Sequence, residues 1–364
     1  MAINVKDMVN TISLKGVVSS YKIDTRESKM FWDDERSGLK KGDAVTQYNG
    51  YISVQTKENQ FATINIQRNQ SFYNGELDAT SKALEAMSKQ EVETFGKTKD
   101  FSKTPTIRIY GGARLNDNYY VKDGEVHGGI RAELGFGYVT LGDPVENPEF
   151  ENILNLAVYV KDILPETDKN DEETGRAVLK AVFPYTYGSE KKGNLVIRAT
   201  NIDLVAGVCE DEEGSYDLGT DLLDYSDEVI DYSYLLIGEL NGYIEETKTQ
   251  QADTGERRRG FGKRAVIDTK PKRYSEFLLT GLDMIGDGDK FSEEDIKDAI
   301  QAREKDIAEK KREEEARAQN KQEEEARKGR GSFGAGRGAA TPTTETSTPG
   351  GRPAGRPGRG SRNF

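Results

Sequence analysis

A mainly β protein, ending in a long charged helix and a disordered tail, is what the sequence predicts, and three observations predict it. Runs of apolar residues alternating with polar ones recur between residues 11 and 279, separated by short polar links. From Ser292 to Lys328 the chain contains no Gly or Pro and is built mainly from Glu, Lys, Arg, Ala and Gln. After Gly329 the composition turns to Gly, Arg, Pro and Thr, which cannot bury enough apolar surface to fold alone.

Taken in order, residues 11–70 read as strands. Ile12, Leu14, Val17 and Val18 form a run interrupted by Ser and Lys. Val45–Thr56 and Phe61–Arg68 follow, joined by the polar link Lys57-Glu58-Asn59-Gln60, which reads as a hairpin. In the second arm Ala62, Ile64 and Ile66 share one face, and Phe61, Thr63, Asn65 and Gln67 share the other. A helix is predicted over Leu77–Thr94, where Leu77, Ala83, Leu84, Met87 and Val92 make a loose apolar stripe. Strands resume at Thr106–Tyr110, with Ile107 and Ile109 alternating with Arg108 and Tyr110, and again at Ile130–Leu141. Three strands, a helix and two strands is the order of an OB barrel.

A second, looser copy of that order follows. Asn152–Ile163, Ala177–Tyr187 and Asn194–Thr200 are strands, Asp217–Tyr225 is a short helix, and Tyr232–Glu245 and Arg264–Leu279 complete the set. The repetition is one of pattern, not of residues. The expected organisation is one OB-like domain over 1–145, a second over 146–285, a charged α-helix over 286–328 and a disordered Arg/Gly/Pro tail over 329–364. A single larger β-sandwich over 10–285 is the alternative to two barrels. The charged helix opens on Ser292-Glu293-Glu294-Asp295, which resembles a capping box, and only Ile296, Ile300 and Ile307 give it an apolar stripe. Apolar a and d positions for a sustained coiled coil are missing.

Composition narrows the function classes. Apolar residues make up 34% and charged residues 32% of the 364. The only cysteine, Cys209, cannot form an internal disulfide, which points to a reducing compartment. No run approaches the roughly 18 apolar residues needed to span a bilayer, and the start of the chain shows no export leader, so a soluble cytoplasmic protein with no membrane partner is expected. The net charge of −12 conceals strong segregation. Glu210–Asp231 holds ten acidic residues and no basic ones; Arg257–Arg273 holds eight basic residues against Asp268 alone; the tail from Gly329 holds six arginines against Glu345.

Catalysis finds little support. His127 is the only histidine, so Cys/His nucleophilic pairs and His/Cys zinc sites are nearly excluded. Asp287-Gly288-Asp289 lacks the ligand spacing of a calcium loop, and Gly260-Phe261-Gly262-Lys263-Arg264 lacks that of a phosphate-binding loop. No enzyme activity, cofactor or metal is expected, and clustered carboxylates do not stand out from the acidic background.

Binding is better supported, because sequence-tolerant single-strand binders combine a cationic groove with aromatics on which bases stack. If Ile52 and Val54 face a barrel core, Tyr51 faces outward, and Phe61 does so on the partner strand by the same parity. Arg108 and Tyr110 face outward on a later strand, and Arg198 is placed opposite the Leu195–Ile197 face, near the alternating Phe183, Tyr185 and Tyr187. Trp32 is a loop candidate, and Arg68 is a phosphate candidate. The basic stretch of Arg257, Arg258, Arg259, Lys263, Arg264, Lys270, Lys272 and Arg273 falls where the last long hairpin of a second barrel turns, a place from which OB folds clamp ligand. Arg330 and Arg337 lie in Arg-Gly segments of the kind that bind nucleic acid without a fold. The expected partner is single-stranded DNA. Tyrosine and phenylalanine also cover second cores in ordinary sheets, and the rival reading is a non-enzymatic structural or assembly protein that self-associates without nucleic acid.

Three stretches carry a resemblance: Leu14-Lys15-Gly16-Val17-Val18, Tyr48-Asn49-Gly50-Tyr51-Ile52-Ser53-Val54 and Tyr274-Ser275-Glu276-Phe277-Leu278-Leu279-Thr280-Gly281. With the strand order, the charged helix and the Gly/Arg tail, they resemble the single-stranded DNA-binding proteins of large-genome bacteriophages. The similarity is one of layout over residues 10–310. It implies coating and protection of single strands during phage DNA replication or recombination, in the cytoplasm of an infected bacterium, with replication or recombination proteins as further partners. The chain ends in Phe364, but the preceding Arg359-Gly360-Ser361-Arg362-Asn363 is basic, unlike the acidic tip through which bacterial single-strand binders recruit enzymes.

Overall fold

The computed structural model describes residues 3–30, 33, 38–57, 60–168, 170–188, 195–211, 214–250, 267–284 and 291–330. The elements in chain order are β1 (Asn10–Lys29), β2 (Ala44–Lys57), β3 (Gln60–Asn69), β4 (Phe72–Tyr73), β5 (Glu76–Leu77), α1 (Ala79–Ser88), α2 (Phe95–Thr98), β6 (Thr106–Lys122), β7 (Glu125–Glu133) and β8 (Tyr138–Gly142). There follow β9 (Glu151–Thr167), β10 (Glu173–Tyr187), β11 (Val196–Ala206), β12 (Val208–Asp211), β13 (Gly214–Asp217), α3 (Leu218–Asp224), α4 (Ser226–Val229), β14 (Ser233–Gln250), β15 (Ile267–Met284) and α5 (Glu293–Arg330). The protein is mainly β.

The pairing closes two five-strand circuits rather than one face-to-face sandwich. In the first, β1 pairs with β2 and β2 with β3, β3 pairs in parallel with β7, β7 with β6, and β6 returns to β1. In the second, β9 pairs with β10 and β10 with β11, β11 pairs in parallel with β15, β15 with β14, and β14 returns to β9. Each circuit takes its helix, α1 or α3, between its third and fourth strands. This is OB-barrel connectivity, twice over. The expected boundary at 145/146 falls between β8 and β9, and the β1–β9 ladder, Asn10↔Leu156 to Lys15↔Glu151, crosses it. The barrels thus share backbone hydrogen bonds within the unit Met1–Glu314, while residues from Glu315 form a separate unit, helical to Arg330.

Side-chain alternation explains the first barrel. Leu14, Ile52, Val54, Ile64, Ile107 and Ile109 are fully buried inside it, and α1 closes its end with Leu84 and Met87. The helix predicted to reach Thr94 stops at Ser88: Asp78 caps its start by accepting from the Ser81 N–H at 2.6 Å, and Gln90 turns left-handed at φ 61° just past its end. The strand predicted over 130–141 is split into β7 and β8. Gly135 turns there at φ 55°, and Gly137 packs so tightly on Ala113, Leu134 and Tyr110 backbone that a Cβ has no room.

Residues 291–314 pack on the second barrel. Ser292 caps α5, its hydroxyl accepting from the Asp295 N–H at 3.2 Å and donating to its carboxylate at 2.6 Å. Phe291, Ile296, Ala299 and Ile300 then lie against Ala157 and Tyr159 of β9, Val182 of β10, and Ile197 and Ala199 of β11. Among the described residues no helix is long and apolar enough to cross a membrane.

Candidate nucleic-acid interface

The outer faces of strands 1–3 are where OB barrels hold oligonucleotides, and here the two barrels differ. On the first, the register places three outward rows across β1, β2 and β3: Lys22, Tyr51 and Asn65; Asp24, Asn49 and Gln67; Arg26, Gln47 and Asn69. Intervening rows such as Tyr21, Ile52 and Ile64 point into the core. The outward face is therefore polar and rich in amides.

At its Tyr51 end this face opens into a cleft of ≈ 460 Å³. Tyr51, Phe61 and Asn65 line the floor, with Arg131 of β7 on one wall and Phe277 and Ser275 of β15 on the other. Gly242 of β14 pairs with Phe61, and a Cβ there would stand 2.6 Å from the Phe61 ring, so glycine is what lets the second barrel approach so closely. Ser53 and Thr63 hydroxyls bond across the floor at 2.8 Å, and Asn65 Nδ2 donates to the Ala132 carbonyl at 3.2 Å. Arg131 is exposed and has no ion-pair partner among the described residues. A cation lining the same cleft as two aromatic rings can take a phosphate while a base stacks. Sequence reasoning missed Arg131; the signal available was its place between Ile130 and Ala132 on a strand predicted to close the barrel.

The other predicted residues distribute as follows. Arg108 is exposed, with its guanidinium 4.8 Å from the Tyr110 ring centre, and Tyr110 lies 5.6 Å from Tyr138. That pair forms a separate patch on β6 and β8, since no β6 residue lines the cleft. Arg68 does not face the strand. It shares parity with Ile64 and Ile66, donates to the Gly137 carbonyl and pairs with Asp78 at 3.5 Å, closing the barrel end. Lys270, Lys272 and Arg273 fall on β15 within five residues of Ser275, described there by backbone alone. Arg330 ends α5, likewise in backbone alone. Trp32, Arg257, Arg258, Arg259, Lys263, Arg264 and Arg337 lie outside the described residues.

Arg198 is the largest correction. Its predicted outward parity is inverted: Ile197 faces α5, while Arg198, opposite Tyr185, turns to the barrel's inner side and is 6% exposed. There its guanidinium donates to the Tyr119 hydroxyl at 3.1 Å and to Asp306 of α5 at 2.7 Å, and covers the Tyr187 ring at 3.9 Å. Phe183 and Tyr185 are buried as well; the Tyr185 hydroxyl donates to Asp117 at 3.1 Å, and Arg303 of α5 pairs with the same carboxylate. Lys310 adds an ion pair to Asp306 at 2.9 Å, and Glu314 accepts from the Asp123 N–H at 2.8 Å. Burial pushes the Tyr119 hydroxyl up, and its bond to Asp306 adds to the rise. Burial alone would raise Asp306, but bonds from Tyr119 and Lys310 and the Arg198 charge hold it below the usual carboxylate value. Among the described residues no three His, Cys, Asp or Glu side chains come together as metal ligands would.

The fold and this face define a protein of two fused OB-type barrels with one open outer face. The chain belongs to the YorF family, whose model matches residues 9–313, from β1 into α5. It is similar in structure, at a TM-score of 0.33 and 13% identity, to a deletion mutant of the single-stranded DNA-binding protein from Thermus aquaticus, over 76% of this chain and 94% of that one. No curated protein sequence matches.

Proposed function

We propose that this protein binds single-stranded DNA without marked sequence preference on the outer face of its first barrel, and that it works by coating and protecting the strand, with no catalytic step. The observation that carries the reading is the cleft, where Tyr51 and Phe61 share a lining with Arg131, which has no ion-pair partner among the described residues, on the face that OB barrels use for oligonucleotides. Bases stack on the two rings, and Arg131 takes a phosphate. Phage DNA replication or recombination, in the host cytoplasm, is the setting that the resemblance in sequence layout supports.

Fluorescence anisotropy of a labelled oligo-dT of about 30 nucleotides, with a duplex control, tests this. Wild-type protein binds the single strand, and the affinity falls steeply with salt as cations are released. Tyr51→Ala weakens binding by about 1–3 kcal/mol, the usual worth of one stacked base. Arg131→Ala flattens the salt dependence by roughly 0.7 in logarithmic slope, the share of one phosphate contact on a single strand. Absence of binding at low salt would sink the reading and favour an assembly role for the barrels.

A further inference from the structure

Resting on that reading, we infer that the bound strand leaves the Tyr51–Phe61 cleft past Arg131, runs along the outer side of β7, and stacks a further base on the Tyr120–His127 pair near the tip of the β6–β7 hairpin. The register keeps this route on one side of the sheet. Arg131, which lines the cleft, faces Asn116; Gly129 faces Asn118; His127 faces Tyr120. The alternate β6 residues Leu115, Asp117 and Tyr119 are buried, and Ile130 and Ala132 of β7 pack toward the barrel core, so the three pairs point outward together. Four residues of strand separate Arg131 from His127, about 13 Å at roughly 3.3 Å per residue.

The route is open where it crosses Gly129. A Cβ built there meets no atom within 4 Å, so a ligand strand can lie directly on the β7 backbone. Beyond it the Tyr120 and His127 rings are stacked, with centroids 5.5 Å apart and planes 24° apart. Tyr120 is 53% exposed, so a base can extend the stack. The other side of the hairpin is taken: Tyr119 bonds to Asp306 of α5, Asp117 pairs with Arg303, and the Asp123 and Gly124 N–H groups donate to Glu314. Of the acids on the outer side and the tip, Glu133 accepts from the Asn116 and Asn118 amides at 3.0 and 3.4 Å. Glu125 has Lys122 across the ladder, and Asp123 lies in the turn beyond the ring pair. Arg131 is thus the charge that meets a phosphate as the strand passes, and the ring pair holds a base further on.

His127 is the only histidine of the 364 residues, so a single imidazole resonance in the full chain, carrying no histidine tag, reports on this platform. Saturating histidine-labelled protein with oligo-dT shifts that resonance. In anisotropy titrations Tyr120→Ala and His127→Ala each weaken binding by about five-fold or more, within the range for one stacked base. His127→Phe, which keeps an aromatic ring, recovers most of the loss. Thermal unfolding of each variant checks that the barrel is intact. A resonance that stays in place at saturation, or alanine variants that bind as the wild type does, overturns the route, while a loss on Tyr51→Ala keeps single-strand binding at the cleft. If the wild type does not bind oligo-dT at low salt, route and function fall together.

Discussion

The two barrels have the same strand connectivity, yet their equivalent outer faces have opposite fates. On the first, the outward positions of β1–β3 carry Tyr51, Asn65, Asn49, Gln67 and Arg26, and the face opens at its Tyr51 end into the cleft. On the second, the outward positions of β9–β11 carry Ala157, Tyr159, Val182, Ile197 and Ala199, and α5 lies over them. An apolar face of small and β-branched residues has to be covered, while a polar one can remain in water and wait for ligand. The barrel connectivity therefore does not say which outer face stays open; the residues at outward parity do.

If α5 is an integral cover, breaking the polar clamp that ties it to β6 and β11 should cost the fold far more than any change on the open face. Arg198→Ala removes one partner of a buried pair, leaves Asp306 and the Tyr119 hydroxyl without it, and is expected to destabilise the fold by about 3–5 kcal/mol in urea unfolding. A loss under about 1 kcal/mol would mean that the clamp behaves as a solvated surface pair. On the proposed reading, affinity for single-stranded DNA should hold wherever Arg198→Ala remains folded, because Arg198 belongs neither to the lining of the cleft nor to the outward rows of β1–β3. A smaller cut sharpens the apolar half of the contrast: Ile296→Val, at a fully buried site, is expected to cost about 0.5–1.5 kcal/mol. The same exchange on the open face has nothing buried to lose.

Acid gives the gentlest probe. The folded-state value of Asp306 lies below the ordinary 3.8, so its contribution is complete above that value and is lost as the pH falls from there through the lowered value. Asp306→Asn cannot lose a charge on acidification. Its stability, measured by urea unfolding between about pH 5 and pH 3, should fall less steeply than that of the wild type. Parallel slopes would show that the carboxylate does not hold α5 by its charge.

Much of the first barrel and its face was legible in the sequence. The alternation of Ile52 and Val54, and of Ala62, Ile64 and Ile66, gives the parity that puts Tyr51, Phe61 and Asn65 outside. The same rule places Arg68 on the inner face, so its assignment to phosphate contradicted a pattern already visible. Arg198 was different. Leu195, Val196 and Ile197 are apolar in succession, and β11 is covered on both sides, by the barrel core and by α5, so the alternation that would fix its parity is absent. The three isoleucines of α5 showed one apolar stripe but not what it covers. Asp117, Arg198 and Asp306 lie too far apart in sequence for any local pattern to join them.

By itself, then, the sequence determined the β-rich class, the order of strands and helices repeated twice, the charged helix, and the outward aromatics of β2 and β3, because these depend on periodicities of a few residues. Only the tertiary structure decided that the barrels fuse through β1 and β9, that α5 covers one outer face and leaves the other open, and that Arg198 is a buried strut while Arg131 lines the cleft. Burial and pairing between distant segments depend on which surfaces meet, and a one-dimensional pattern carries no record of that meeting.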